Sequence, residues 1–82
     1  MKHGVLHKWK SYWYLQLKDP ETDEYNKGFV RSKLKSDLMK TANRWLYGTD
    51  GYTQIIDQLH IYDSKGRWVE TIAAMSFGPL ED

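Results

Sequence analysis

The sequence predicts an α+β domain in which an antiparallel sheet of about four strands is covered on one face by a single helix. Three observations predict this class: an alternating apolar–polar run before a proline-containing turn, a central run with helical periodicity, and a second alternating run before a glycine-containing turn. The two hairpins and the helix follow in the order ββαββ. The 82 residues are predicted to form one domain, 1–82, with fraying expected over residues 1–4 and 78–82.

The first strand is predicted from an alternation of side-chain character that is strongest from residue 11 to residue 18. Apolar side chains at the odd positions are expected to face the helix: Trp9, Trp13, Leu15 and Leu17. The even positions form the opposite face and are mostly basic or aromatic: Lys8, Lys10, Tyr12, Tyr14, Gln16 and Lys18.

A turn and a return strand complete the first hairpin. Residues 19–24 contain Pro20, whose ring fixes φ, and aspartates whose carboxylates accept hydrogen bonds from nearby backbone N–H groups. Residues 25–32 are expected to return as a strand. Because Phe29 and Val30 are neighbours, they cannot both face the core of a regular pleat, and Gly28 indicates a bulge that would resolve this conflict.

The helix is predicted over residues 33–47. Ser32 or Ser36 can supply the N-cap oxygen, and Gly48 suits a helix end in the left-handed conformation. One stripe of the helix is apolar: Leu34, Leu38, Ala42, Trp45 and Leu46. The opposite side is charged: Lys33, Asp37, Lys40 and Arg44.

A second hairpin is predicted after a loop over residues 48–51. Ile55, Leu59 and Ile61 alternate with polar residues as in a strand, although residues 53–58 also fit a short helix. The segment 63–66 is expected to form a type I turn with glycine in the bulge position. The return strand is predicted from Arg67 to about residue 75.

Composition predicts where the protein resides. The chain has no cysteine, which is typical of a reducing compartment, so we expect a cytoplasmic location. It has no apolar run long enough to cross a membrane, and no secretory signal is expected. The net charge of +1 divides unevenly, with nine Lys/Arg against five Asp/Glu in residues 1–40 and three against six in residues 41–82.

No motif in the sequence predicts catalysis. There is no glycine-rich phosphate loop, no cysteine nucleophile and no serine in a nucleophile elbow. His3, His7 and His60 lack the spacing of a metal site. The acidic turn begins like a calcium loop but has Glu24 at its sixth position and Val30 at its twelfth. We therefore expect no enzyme activity, no cofactor, no metal and no small-molecule substrate.

A basic and aromatic sheet face is the one candidate site in the sequence. Its predicted partner-binding residues are Lys8, Lys10, Tyr12, Tyr14, Lys18, Lys27 and Arg31. Tyrosine and arginine are common anchors of protein interfaces. The same residue types also suit single-stranded nucleic acid, because rings stack on bases and lysines contact phosphates. A solvent-facing sheet stabilised by cross-strand Tyr and Lys pairs stays open as a third interpretation.

The predicted function is that of a small non-catalytic protein that acts by occupying a protein partner. The alternative is a nucleic-acid-binding module, which the net charge of +1 disfavours. Membrane binding is not expected, and the oligomeric state stays open. From Tyr12 to Tyr47, the order of a tryptophan-bearing strand, a polar turn, a strand and a helix resembles the arm-binding domains of tyrosine integrases. This likeness implies no residue roles; accessory or inhibitor proteins of mobile elements are one example of the predicted class.

Overall fold

The computed structural model describes residues 1–48 and 54–74 and confirms the α+β class, with one helix against a five-stranded mixed sheet. The strands are β1 (Lys2–Trp9), β2 (Tyr12–Asp19), β3 (Glu24–Ser32), β4 (Ile56–Tyr62) and β5 (Trp68–Ala73), and helix α1 (Lys35–Tyr47) joins β3 to β4. Across the sheet the order is β3-β2-β1-β4-β5. All neighbours are antiparallel except β1 and β4, which are parallel. The prediction of four antiparallel strands in the order ββαββ is therefore wrong in detail.

The fifth strand arises because the predicted first strand is only the second member of an additional hairpin. Trp9 pairs with Tyr12 across a two-residue turn formed by Lys10 and Ser11. Lys10 has a φ of 58°, a conformation that L-residues adopt at a cost. Lys2–Gly4, part of the segment for which fraying is predicted, lie in β1, where Lys2 pairs with β4 and His3 and Gly4 pair with both β2 and β4.

The added hairpin changes which residues face the helix. Leu6 pairs with Leu15, and both side chains are fully buried beneath α1. The inward positions of β1 are therefore even, whereas those of β2 are odd. Trp9, predicted to face the helix, lies on the opposite side and is exposed. Lys8, predicted to face away from the helix, occupies a position opposite Trp13 on the helix side.

The core forms between α1 and the strands β1, β2 and β4. Its buried members are Leu6, Leu15, Leu38, Ala42, Leu46, Ile56, Leu59 and Ile61. Trp45 packs against this cluster, as its place on the predicted stripe requires. Leu34 is an exception, because it is the N-cap residue and its side chain is exposed.

The two ends of α1 differ from the predicted caps. Neither Ser32 nor Ser36 is the N-cap, and Leu34 makes no side-chain capping hydrogen bond. The Ser32 hydroxyl instead accepts a hydrogen bond from the Leu34 backbone N–H and donates one to Asp37, both at 3.1 Å. Gly48 ends the helix with a positive φ of 69°, as expected, but its ψ of 164° is extended.

The second hairpin follows the prediction with one shift. Residues 56–58 are strand rather than helix, and a bulge at Asp57 turns Ile56 into the core while Ile55 is exposed. The turn at 63–66 is confirmed, since the Gly66 N–H donates to the Asp63 carbonyl and Gly66 has a φ of 82°. The predictions for residues 49–51 and 78–82 lie outside the described residues.

The turn between β2 and β3 is confirmed. Its backbone closes through a 2.7 Å hydrogen bond from the Asp23 N–H to the Asp19 carbonyl. An irregularity in the β2–β3 pairing lies opposite Leu17 and includes Gly28, as the neighbouring Phe29 and Val30 required. Phe29 consequently faces away from α1, and Val30 pairs with Leu15 on the helix side.

Candidate binding face of the sheet

The sheet face opposite α1, which we call the open face, has no described element packed against it. Strand pairing places on it His3, Val5, His7 and Trp9 from β1, Tyr12, Tyr14, Gln16 and Lys18 from β2, Tyr25, Phe29 and Arg31 from β3, Gln58, His60 and Tyr62 from β4, and Trp68, Thr71 and Ala73 from β5. None of these residues is acidic.

Four large aromatic rings of the open face are strongly exposed. The exposed fractions are 59% for Trp9, 49% for Tyr25, 53% for Phe29 and 61% for Trp68. Single exposed apolar residues are normal on protein surfaces. Several large rings on one face are not, because contiguous exposed apolar surface usually marks an interaction site.

The open face contains two hollows. The smaller, of about 260 Å³, is lined by His7, Trp9, Tyr14, Gln16 and Phe29. The Tyr14 ring contacts the Phe29 ring edge to face, with centroids 5.2 Å apart, and lies 6.3 Å from the Trp9 ring. A flat or branched apolar group placed in this hollow would therefore touch aromatic carbon on several sides.

The larger hollow adjoins the smaller one. Its volume is about 340 Å³, and its lining includes Val5, His7, Gln16, Tyr25 and Tyr62. His7 and Gln16 line both hollows, and the His7 Nε2 lies 3.0 Å from the Gln16 Oε1. This hydrogen-bonded pair separates the two hollows.

Three cations gather at the end of the open face where β1 turns into β2. The Lys10 ammonium lies 4.7 Å from the Trp9 ring centroid, and Arg31 and Lys33 lie 4.5 and 5.8 Å from that of Tyr12. Within residues 1–48 and 54–74, none of these three cations has a carboxylate within 4.0 Å. We call Lys10, Arg31 and Lys33 the cationic cluster.

Lys18 differs from the cationic cluster because its ammonium is paired with a carboxylate. Its ammonium lies 2.7 Å from a carboxylate oxygen of Asp23, and this hydrogen bond raises the pKa of Lys18. It also lies 5.4 Å from the Tyr25 ring centroid. Its charge is therefore largely neutralised within the β2–β3 hairpin.

The three histidines of the chain all lie on the open face. The His3 and His60 rings are 4.9 Å apart, and His60 stacks nearly parallel on Trp68 at 5.3 Å. Burial, assisted by His3 and Lys18, lowers the pKa of His60, so its imidazole is neutral at pH 7. In the described parts of the chain, no three metal-ligating side chains are placed to hold an ion.

The structure brings together most, but not all, of the predicted site residues. Tyr12, Tyr14, Lys18 and Arg31 lie on the open face, and Lys10 reaches it from the turn. Lys8 lies on the helix side, although it also lines the larger hollow where β1 extends beyond β4. Lys27 lies in the irregular stretch of β3, where it precedes Gly28, whereas Arg31 follows Gly28 in the regularly paired part of the strand.

Several residues of the open face are not among the predicted site residues. Among them are His3, His7, Trp9, Phe29, Lys33, His60 and Trp68. The turn at Lys10–Ser11 is not predicted from the sequence, and this turn places the odd positions of β1 beside the even positions of β2. Once that turn is known, the alternation from His3 to Trp9 identifies the β1 part of the face.

Comparisons with protein-family models, curated protein sequences and solved structures gave no match for this chain. Among the described elements there is no helix with the length and apolar character needed to span a bilayer.

Proposed function

We propose that this chain is a small non-catalytic binding protein that acts, as an accessory or inhibitor protein does, by occupying a protein partner through the open face. The observation that carries the proposal is the hollow between Trp9 and Phe29, with Tyr14 beside both rings. Binding energy at protein interfaces concentrates in a few large anchors that fill such hollows.

The distribution of polarity supports a protein as the partner. The β4 and β5 part of the open face carries no cation: Gln58, His60, Tyr62, Trp68, Thr71 and Ala73. The centres of protein interfaces are depleted of charge and enriched in aromatic residues and arginine. The open face has this composition: the cationic cluster lies at one end, and Lys18 at the other end is paired with Asp23.

The side chains present also support a non-catalytic role. His7 and His60 are paired with glutamine amides at 3.0 Å, and the His3 Nε2, which lies 3.8 Å from the Asp57 carboxylate, lines neither of the two hollows. A general acid or base needs a titratable partner and a substrate pocket beside it. The absence of cysteine from the sequence supports a cytoplasmic setting for the binding reaction.

Single-stranded nucleic acid is the second candidate partner, and the cationic cluster beside Trp9 and Tyr12 favours it. If Lys10, Arg31 and Lys33 each neutralise a phosphate, log affinity should fall with log salt with a slope of roughly −2. Tyr14→Ala should weaken such binding at every salt concentration without changing the slope.

Affinity capture with paired variants tests the primary proposal. The wild-type protein and a Trp9→Ser/Phe29→Ser variant are used as baits in an extract of the source cells, with nuclease present. The control is Leu34→Ser/Tyr47→Ser, which removes apolar groups of similar exposure, 60% and 52%, from the N-cap and the last residue of α1, on the other side of the sheet.

A protein held by the wild type and the control but lost with Trp9→Ser/Phe29→Ser would support the proposal. Equal capture by all three baits would show that the open face is not the interface. Capture that disappears on nuclease treatment would indicate the nucleic-acid alternative.

A further inference from the structure

The cationic cluster lies at the opposite end of the β2–β3 hairpin from the acidic turn. Asp19, Glu21, Asp23 and Glu24 occupy or flank that turn, and Tyr12 and Asp19 are the two ends of the eight-residue strand β2. A strand of this length spans about 23 Å at roughly 3.3 Å per residue. This exceeds the Debye length of about 8 Å at physiological salt, so the acidic turn does not neutralise the cluster.

The net charge of the chain therefore conceals a local cation excess. The ammonium and guanidinium groups of Lys10, Arg31 and Lys33 are held over two rings, Trp9 and Tyr12, that are paired across the β1–β2 ladder. Contacts of this type contribute only about 0.5–1 kcal/mol at exposed sites. They orient the cations without satisfying their charge, which leaves the cluster able to accept an anion.

We propose that the partner's docking segment is acidic, with carboxylates on Lys10, Arg31 and Lys33 and one large apolar side chain in the hollow between Trp9 and Phe29. This inference rests on the proposed function. The Arg31 guanidinium suits a carboxylate because its N–H groups can donate two parallel hydrogen bonds to the two carboxylate oxygens. The hollow adjoins Trp9, so one short segment can reach both features.

The one-sided placement of the cations favours peptide carboxylates over a phosphate backbone. A nucleic-acid strand carries a charge at every nucleotide, and a strand crossing the sheet would meet no cation on β4 or β5. A protein segment can place its carboxylates at one end and apolar side chains at the other. The open face is divided in this way.

Selection from a random 12-residue peptide library displayed on phage tests the inference with defined probes. We expect the wild-type protein to enrich peptides that combine several Asp or Glu residues with a large apolar residue. The affinity of a synthetic enriched peptide is then measured by fluorescence anisotropy, at 50 and 300 mM NaCl. Affinity should be weaker at the higher salt concentration.

Two triple variants separate the cluster from overall charge. Lys10→Gln/Arg31→Gln/Lys33→Gln should weaken peptide binding about tenfold, equivalent to about 1.4 kcal/mol. Lys40→Gln/Arg44→Gln/Lys65→Gln removes the same charge from exposed sites elsewhere and should change the affinity less than twofold. Replacing the peptide carboxylates with amides should reproduce the tenfold loss.

Each other outcome has a defined meaning. Enriched peptides without acidic residues that lose binding with Trp9→Ser/Phe29→Ser would overturn the inference but leave the proposed function. Peptides unaffected by Trp9→Ser/Phe29→Ser would overturn both. Three other results would also overturn the inference. The first is that no peptide is enriched, and the second is an affinity that neither salt nor Lys10→Gln/Arg31→Gln/Lys33→Gln changes. The third is that a 12-nucleotide single-stranded DNA binds the same cluster more tightly than the peptide does.

Discussion

Adding one methyl group at Gly4 tests the packing that the parallel pairing of β1 and β4 creates. Gly4 is buried in the central strand, between Leu17 of β2 and Leu59 of β4. A Cβ atom at this position would lie 2.7 Å from the Ile56 Cδ1 and 3.2 Å from the Leu59 Cδ1. Both neighbours are fully buried, so neither side chain can swing into solvent.

The expected cost of Gly4→Ala follows from these distances. Overpacking a core by one methyl group costs about 1–3 kcal/mol. The replacement of glycine by alanine also adds about 0.5–1 kcal/mol of stability, because glycine loses more conformational entropy on folding into a strand than alanine does. The net destabilisation should be roughly 0.5–2 kcal/mol, and each kcal/mol lowers the Tm of a domain of this size by about 4–8 °C.

Two further variants make the Gly4→Ala result specific. Gly28→Ala is the control, because a Cβ there meets no atom within 4 Å, and this variant should be neutral or slightly more stable than the wild type. Ile56→Val removes the Cδ1 atom that the new methyl group would strike. The double variant Gly4→Ala/Ile56→Val should therefore be more stable, by about 1 kcal/mol, than the sum of the single changes predicts.

Urea unfolding followed by tryptophan fluorescence gives the unfolding free energies of the wild type and of these four variants. A Gly4→Ala variant as stable as the wild type, with no coupling to Ile56→Val, would refute the packing described for β1 and β4.

Two other changes test the helix and the histidines. Leu46 is fully buried beneath the sheet, so Leu46→Ala should lower the unfolding free energy by about 3–5 kcal/mol. Leu34→Ala at the exposed N-cap should change it by less than about 0.5 kcal/mol. If urea unfolding showed similar losses for the two variants, the orientation of α1 would be contradicted. The lowered pKa of His60 means that the folded state binds fewer protons than the unfolded state, so stability should fall as the pH drops below about 6.5. Urea unfolding at pH 7.5 and 5.5 should show a smaller loss for His60→Gln than for the wild type, and equal losses would contradict this linkage.

Local sequence signals predict those elements whose stabilising contacts are local. The apolar stripe of α1 and the Asp63–Gly66 turn depend on spacing and on hydrogen bonds between residues close in the chain. The structure confirms the turn, and it confirms the stripe except at Leu34. The Lys10–Ser11 turn carries no comparable signal. Two-residue hairpin turns usually contain glycine, asparagine or aspartate, and here Lys10 adopts the positive φ instead.

Long-range pairing explains the remaining differences. The parallel contact between β1 and β4 joins residues far apart in the chain, and no local pattern specifies it. The bulge at Asp57 buries Ile56 rather than Ile55, although both are isoleucines at neighbouring positions. For the candidate site, alternation within β2 is sufficient to place Tyr12 and Tyr14 on the open face. The cationic cluster depends on the hairpin that the alternation does not reveal.

The indole N–H signals of the four tryptophans test the binding role of the open face most directly. Trp9 is exposed on the open face, whereas Trp13 and Trp45 pack against the core on the helix side. The measurement is a titration of the captured partner, or of the enriched acidic peptide, into ¹⁵N-labelled protein, followed by NMR. We expect the Trp9 indole signal to shift or broaden in proportion to occupancy while the Trp45 signal stays in place. A Trp45 shift with an unchanged Trp9 signal would contradict the account, because the partner would then bind on the helix side.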